Sequence, residues 1–552
     1  MMADNSGKLS SANHNGDTVG ACQHVSRRDV LSGAAKMTVG LGVSGFLATH
    51  YHVSESGAQS APEGVLTLPI ASNPAANPIT VSTGLSGILL DKNLFGQLVR
   101  PDPTTGQPAP DLAESWEISP DGMTYTFHLR QGVTWHNGDP FTADDVKFTI
   151  DAILDPAVNA AFLTSLGPLK EAVVVDPNTV NLVLESPYAP LLVMLAYNIS
   201  ILPKNVLTGQ DLNAPTSFIE NPIGTGPYVW KEFVSGDHIT LTANPTFWDG
   251  APQIPTLVYK ILPDSNTQVA QLRTGEVDMV MIEPAQSDAL KGASNVVIDT
   301  ANQTNSYYIS LNHANPLFSD VRVRQALTYG LDRETIVASV MQGAGTVSTG
   351  PISPPMDWAF PAEQQPFPFD TTTAQDLLTQ AGWTLQDGKL TKDGQGFAFR
   401  ILLDTGNPTR QNIALAAQQY WQQLGMEPEI DAVDFNTWYT RSTGTDWDSI
   451  VSWWITPADP NALASEYADG NGTSGYNNDQ VNQLFAAGRT ALTPEERKPI
   501  YAQIQQLLYQ DQVHVFVAYP NEFRAFSSRL QGYAPIGIRD ALYYTYKWTL
   551  NG

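Results

Sequence analysis

Segments with two-residue apolar alternation and segments with helical periodicity interleave irregularly from residue 65 to residue 518. That pattern restricts the chain to an α/β fold with mixed sheets. Strands are expected at 65–70, 256–262, 277–282, 306–312, 397–404, 428–433, 448–453 and 514–518. Helices are expected at 86–99, 146–154, 266–274, 321–330, 332–341, 373–381, 409–424 and 494–511. The stretch from Trp116 to Gly138 reads as a β-hairpin, turning at Ser119-Pro120-Asp121-Gly122 before alternating Tyr125, Phe127 and Leu129. Thr142 with Asp145, and Thr493 with Pro494 and Glu496, read as helix starts. Gly425 reads as a helix stop. There is no internal repeat, heptad array or low-complexity linker. The Pro-rich stretch 351–368 reads as ordered loop, because Trp358, Phe360 and Phe367 interleave it.

The 552 residues carry 29 Lys+Arg against 55 Asp+Glu, a net charge of −26. Charged residues are 15% of the chain, against about 25% in typical domains. The imbalance is therefore mainly a shortage of cations. It argues against nucleic acid and against anionic membranes as partners. One cysteine is present, Cys22. It stands in a leader where Arg27-Arg28 precede Val30-Leu31 and a weakly apolar run from Met37 to Ala48. Residues 1–60 read as a twin-arginine-type export signal, with cleavage after Ala58 or Ser60. The apolar run is too short for a membrane span, and Cys22 precedes it, so it is not a lipoprotein cysteine. The exported form would then lack cysteine, which excludes disulfides, thiol catalysis and Cys-based metal sites. The leader's acids (Asp4, Asp17, Asp29, Glu55) and bases (Lys8, Arg27, Arg28, Lys36) cancel, so the exported form keeps the full charge.

Enzyme signatures are missing. No phosphate-binding G-x-x-x-x-G-K-[ST] loop occurs, and neither H-E-x-x-H nor G-x-S-x-G. Beyond the leader, His128, His136, His238, His313 and His514 show no metal-ligand spacing, so no metal and no cofactor are expected. A hydrolase built on two facing carboxylates is the rival class, because folding alone brings such a pair together.

The stretch 111–138 opens Asp111-Leu112-Ala113-Glu114-Ser115-Trp116 and closes Trp135-His136-Asn137-Gly138. It continues through Pro140-Phe141-Thr142-Ala143-Asp144-Asp145. Further on come Asn221-Pro222-Ile223-Gly224-Thr225-Gly226-Pro227-Tyr228, Ala243-Asn244-Pro245-Thr246-Phe247-Trp248, and Arg273-Thr274-Gly275-Glu276-Val277-Asp278. Phe318-Ser319-Asp320-Val321-Arg322-Val323-Arg324 and Leu331-Asp332-Arg333 follow. This ordered set resembles family 5 of the extracellular solute-binding proteins, the peptide- and nickel-type receptors of ABC importers, over about residues 62–550. The alternation within 111–138 makes these motifs scaffold and not ligand contacts.

The resemblance implies a two-lobed clamshell of the periplasmic-binding-protein type II kind, α/β with mixed sheets and an extra inserted subdomain. Lobe one would comprise 62–99, 222–305 and 515–552, the inserted subdomain 100–221, and lobe two 306–514. It implies a monomeric receptor without a chemical step, periplasmic or extracellular, that closes on a peptide-like solute and hands it to separately encoded ABC permease and ATPase subunits. An opine, oligosaccharide or metal-chelate ligand, or a chemoreceptor partner, stays open. In peptide-binding members a Trp-containing segment carries an aspartate that holds the peptide α-ammonium. The matching segment here is Trp453-Trp454-Ile455-Thr456-Pro457-Ala458-Asp459, with the two Trp rings as cleft walls. Thr456 falls at the aspartate's position, and a neutral hydroxyl does not supply that charge-assisted bond. Asp459 is expected to shape the loop. Further cleft candidates are Ser72 and Asn73 after the first strand, and Tyr307 and Tyr308, which alternation sends to opposite faces. Arg410 at a helix start is the last, either facing a ligand carboxylate or solvated.

Overall fold

The computed structural model describes residues 64–73, 77–80, 92–302, 304–455, 459–534 and 541–551. The leader, and residues 86–91 of the helix expected at 86–99, lie outside them; of the described remainder only 92–94 are helical, and the chain leaves the helix at Phe95 to enter the strand Val99–Pro101. The first strand, Val65–Ile70, lies parallel to Thr256–Ile261 in a four-stranded mixed sheet completed by His238–Ala243 and Tyr228–Val234. The expected hairpin is present as Ala113–Ile118 and Thr124–Leu129, and Thr179–Leu184 and Leu169–Asp176 extend it to four antiparallel strands. Thr142 and Asp145 form the expected capping box on the helix Ala143–Leu154.

An eight-stranded sheet connects the rest of the chain. Its spine is the 14-residue strand His514–Ser527, far longer than the alternation at 514–518 indicates. The first part pairs with Asn305–Leu311 and Gly345–Val347, and the second with Met279–Ile282 and Val296–Asn302. The exchange occurs at Pro520, opposite Gly345, and Asn521, opposite Asn302. Pro520 has no N–H to give a ladder, so pairing is weakest where the partners change. Asn305–Leu311 passes the sheet on to Ser449–Ile455, which lies parallel to Ala398–Asp404 and through it to Glu427–Val433. Helices Val321–Tyr329, Thr371–Gln380 and Pro408–Gln423 pack their apolar faces against this sheet around buried Phe399, Ile401 and Trp421. Residues 332–341 are not one α-helix: a short turn, Arg333–Thr335, runs into a π-type turn, Ile336–Val340. Among the described residues no helix is long and apolar enough to cross a membrane.

The recurring motifs hold backbone in place. A Cβ on Gly224 would stand 1.7 Å from the Leu94 carbonyl oxygen, so only glycine permits that approach. Arg333 is buried and donates to the Phe516 carbonyl at 2.9 Å, which fastens the long strand. Asp278 accepts from the Thr67 amide (2.8 Å) and from Arg529 Nε (2.7 Å), tying the first strand to the chain's last segment.

His136 joins two of these motifs. Its Nδ1 accepts from the Gly224 amide at 3.1 Å and its Nε2 faces the Gly226 carbonyl at 3.1 Å, so the ring is the neutral Nε2–H tautomer. Burial lowers its pKa from 6.5 to about 4. Above pH 6.5 folded and unfolded chains both hold the ring neutral. Between 6.5 and about 4 only the unfolded chain takes up the proton, so stability falls as pH falls, by up to about 3 kcal/mol. His136→Gln should flatten this part of the stability curve measured by urea denaturation at stepped pH. An unchanged slope would exclude His136 as its source.

Candidate functional site

The parallel strands Ala398–Asp404 and Ser449–Ile455 pair only at Ile401 with Ser449 and Leu402 with Ile450, then separate toward their C-terminal ends. Splayed carboxyl ends of parallel strands open a crevice, the usual binding place in open α/β sheets. Arg410 enters it from the first turn of the helix Pro408–Gln423, where Asn407 caps the Arg410 amide (2.9 Å). A cation at a helix start opposes the helix dipole, and Arg410 is only 5% exposed, so it needs compensation. The Asp404 carboxylate pairs with it. The Trp453 ring lies 3.8 Å from its guanidinium carbon, and Trp438 lies at 5.7 Å. Burial pulls the Arg410 pKa below its ordinary value, with Asp404 opposing. Its buried Nε has no hydrogen-bond partner.

Tyr307 sits directly across from Trp453 in the ladder. Burial pushes its hydroxyl up to about 12, the Glu283 carboxylate adds to the shift and Arg410 opposes it. Glu283 comes from the other half of the long sheet, just after the strand Met279–Ile282. Glu283 is exposed, and partial desolvation raises its carboxyl above the ordinary value. The crevice therefore presents the Arg410–Asp404 ion pair, a phenol and stacked indoles, Trp438 and Trp453, whose ring centres are 6.0 Å apart. Such a set binds a polar solute with flat apolar parts.

The remaining candidates fall elsewhere. Tyr308 is buried on the opposite face and stacks on His514 at 4.5 Å. Asn73 is exposed and its Oδ1 and Nδ2 fasten Gly236 and Ser235, the turn of a neighbouring hairpin. Ser72 is exposed beside it. The solvated alternative for Arg410 does not hold, because its carboxylate and indole partners bury it. Thr456 lies outside the described residues. Of Trp454 only the backbone, paired with Ser306, is described. Asp459 is completely buried, receives both Arg497 Nη atoms at 2.7 Å and caps Asn461, so it shapes the loop. Burial disfavours the Arg497 charge, but Asp459 outweighs it and holds the guanidinium above its ordinary pKa. Trp438 and Glu283 escaped the sequence reading. The signal for Trp438 was Phe435, Trp438 and Tyr439 at helical spacing in the helix Phe435–Ser442. Among the described residues no group of three or more His, Cys, Asp or Glu is arranged for a metal ion. A larger cavity of about 900 Å³ lies between residues 164–198 and 461–490, and none of these candidates lines it.

Replacing Asp459 by Ala strands Arg497 as a buried uncompensated charge. The expected cost is about 3–5 kcal/mol in urea denaturation at neutral pH. A loss below about 1 kcal/mol would mean the pair does not anchor the loop.

The model of the bacterial extracellular solute-binding proteins, family 5, matches residues 107–475. The oligopeptide-binding protein AppA of Bacillus subtilis is 31% identical over 452 residues, covering 80% of this chain and 83% of AppA. Its structure in complex with a nonapeptide superposes with a TM-score of 0.75 at 28% identity, over 88% of this chain and 99% of that one. NikZ of Campylobacter jejuni in complex with Ni(L-His) gives a TM-score of 0.77 at 27% identity, over 88% of this chain and all of that one.

Proposed function

We propose, for a chain that belongs to the bacterial extracellular solute-binding proteins of family 5, capture of a peptide-like solute outside the cytoplasm and its delivery to an ABC importer. The observation that carries this reading is the crevice at the splayed ends of Ala398–Asp404 and Ser449–Ile455, where Arg410 lies against Trp453 and Tyr307 stands across from that ring. The oligopeptide and nonapeptide named for AppA support a peptide-like ligand. Stacked indoles suit side chains and amide planes, and Arg410 suits a carboxylate.

The lobes are residues 62–99, 222–305 and 515–552, carrying the subdomain 100–221, and residues 306–514. That last boundary stands at the start of the strand His514–Ser527, whose pairing partners change six residues on, at Pro520–Asn521. Closure bends the chain at its crossings near residues 305 and 514. The receptor acts as a monomer, without a chemical step. Its partners are permease and ATPase subunits.

Calorimetry of the exported form with dipeptides to nonapeptides tests the reading. Binding of intact peptide is expected, and Trp453→Ala should weaken it about tenfold or more. Turnover of the peptide, lost on removal of a carboxylate, would replace this reading with a hydrolase. Residues 1–60 direct export by the twin-arginine route. Replacing Arg27 and Arg28 together by Lys should leave unprocessed protein in the cytoplasm, and unchanged export would exclude the route.

A further inference from the structure

Behind the crevice, on the face of the sheet opposite Tyr307, lies a cavity of about 180 Å³. Its lining includes Tyr308, Ser310, Ser452 and Glu466, and Trp438 and Trp453 connect it to the crevice. At ~30 Å³ per water it holds the equivalent of about six waters. That is less than the ~300–1,000 Å³ typical of a whole small-molecule site, and it suits one side chain or head group.

Glu466 is the charged residue of this lining and is only 4% exposed. Among the described residues it pairs with no Lys or Arg. The basic group beside it is His514, whose Nε2 stands 3.8 Å from Oε1. Burial holds His514 neutral, with a pKa of about 3. The Glu466 carboxylate accepts from the Thr473 amide (3.3 Å) and hydroxyl (3.4 Å) and from the amide and hydroxyl of Ser474, all of them neutral donors. Burial raises the Glu466 carboxyl to about 6, with these bonds opposing. A second observation points into the same space. The Ser310 hydroxyl, on a residue 3% exposed, has no hydrogen-bond partner. A buried anion without a cation is costly, and so is a buried unpaired hydroxyl. A cationic donor in the cavity would satisfy both.

We propose that this cavity is a subsite for a positively charged group of the captured solute, carried on an apolar stem and held by the Glu466 carboxylate. The indoles of Trp438 and Trp453 flank the stem, and Ser310 is positioned to accept a second hydrogen bond. This subsite belongs to the solute-capture function proposed above and names the chemistry that the function selects.

The test compares the wild-type full chain with Glu466→Gln. Titration with n-butylguanidinium should show affinity lowered at least about tenfold in the variant, with the neutral isostere n-butylurea unaffected. Equal affinity of both proteins for n-butylguanidinium overturns the subsite. Glu466→Asp keeps the charge but withdraws it by one methylene. It should also weaken n-butylguanidinium, and it replaces the Gln variant if that one does not fold. Wild-type affinity in Glu466→Asp then overturns the subsite. Tripeptides with Lys or norleucine at each position, free or N-acetylated, identify the source of the cation. A preference for Lys that Glu466→Gln removes assigns a side chain, whereas sensitivity to acetylation that the same variant removes assigns the N-terminal ammonium. If no tripeptide binds while n-butylguanidinium still depends on Glu466, the peptide reading fails and the subsite stands. If tripeptides bind without charge preference in either protein, the subsite fails and the peptide reading stands.

Discussion

The hydrogen-bond ladder of the strand His514–Ser527 is the constraint on which the rest of the molecule depends. One strand serves four partners, two on each side of Pro520, so both halves of the sheet share one backbone. Shifting its register by one residue would turn its whole buried set to the wrong face. The register is held by Arg333, which donates to Phe516, and by buried apolar residues from Val515 to Ala518. A bulge lies where Asn305–Leu311 meets it: Tyr307 pairs with Ala518, but Tyr308 pairs with Phe516. Bulges re-aim side chains beside binding sites. Here the bulge separates Tyr307, which lies across from Trp453 on the Arg410 side, from Tyr308, which lines a cavity with Glu466.

Much of the scaffold was legible from local chemistry. The capping box of Thr142 and Asp145, the capped start of the helix Pro494–Asp511 and the Gly425 stop all satisfy neighbouring backbone groups, and neighbours are what a linear reading sees. The motifs legible at 221–228 and 273–278 turned out to be backbone fasteners. Gly224 makes room for the Leu94 carbonyl, and Asp278 receives Thr67 and Arg529. Such residues mark the family closely and carry no information about the ligand.

What escaped the sequence depended on long-range pairing. Pro520-Asn521-Glu522 looks like the end of a strand, because Pro and Asn are strand breakers. The strand continues because Gly345–Val347 and Val296–Asn302 supply partners on either side of the break. The helix Phe435–Ser442 is short and its Phe435 and Tyr439 stay exposed, so its pattern is not that of a core helix. Arg410 reads as solvated until Trp453, forty-three positions later, is laid over it. Glu466 is an ordinary helix residue until Tyr308, Ser310 and His514 close around it.

The two faces of the strand Asn305–Leu311 also place the acidic composition in proportion. A net charge of −26 spread over the surface biases the approach of solutes but is screened beyond about 8–10 Å in salt. Selectivity must therefore come from charges that water does not screen. The crevice side holds Arg410, compensated by Asp404 and two indoles, so its charge is already balanced before a solute arrives. The cavity side holds Glu466, whose described neighbours leave it without a cation. A balanced guanidinium with an unused Nε reads an acceptor through one directed bond. An unbalanced buried carboxylate reads charge. The scarcity of Lys and Arg in the sequence thus has a local counterpart: among the described residues no Lys or Arg pairs with Glu466.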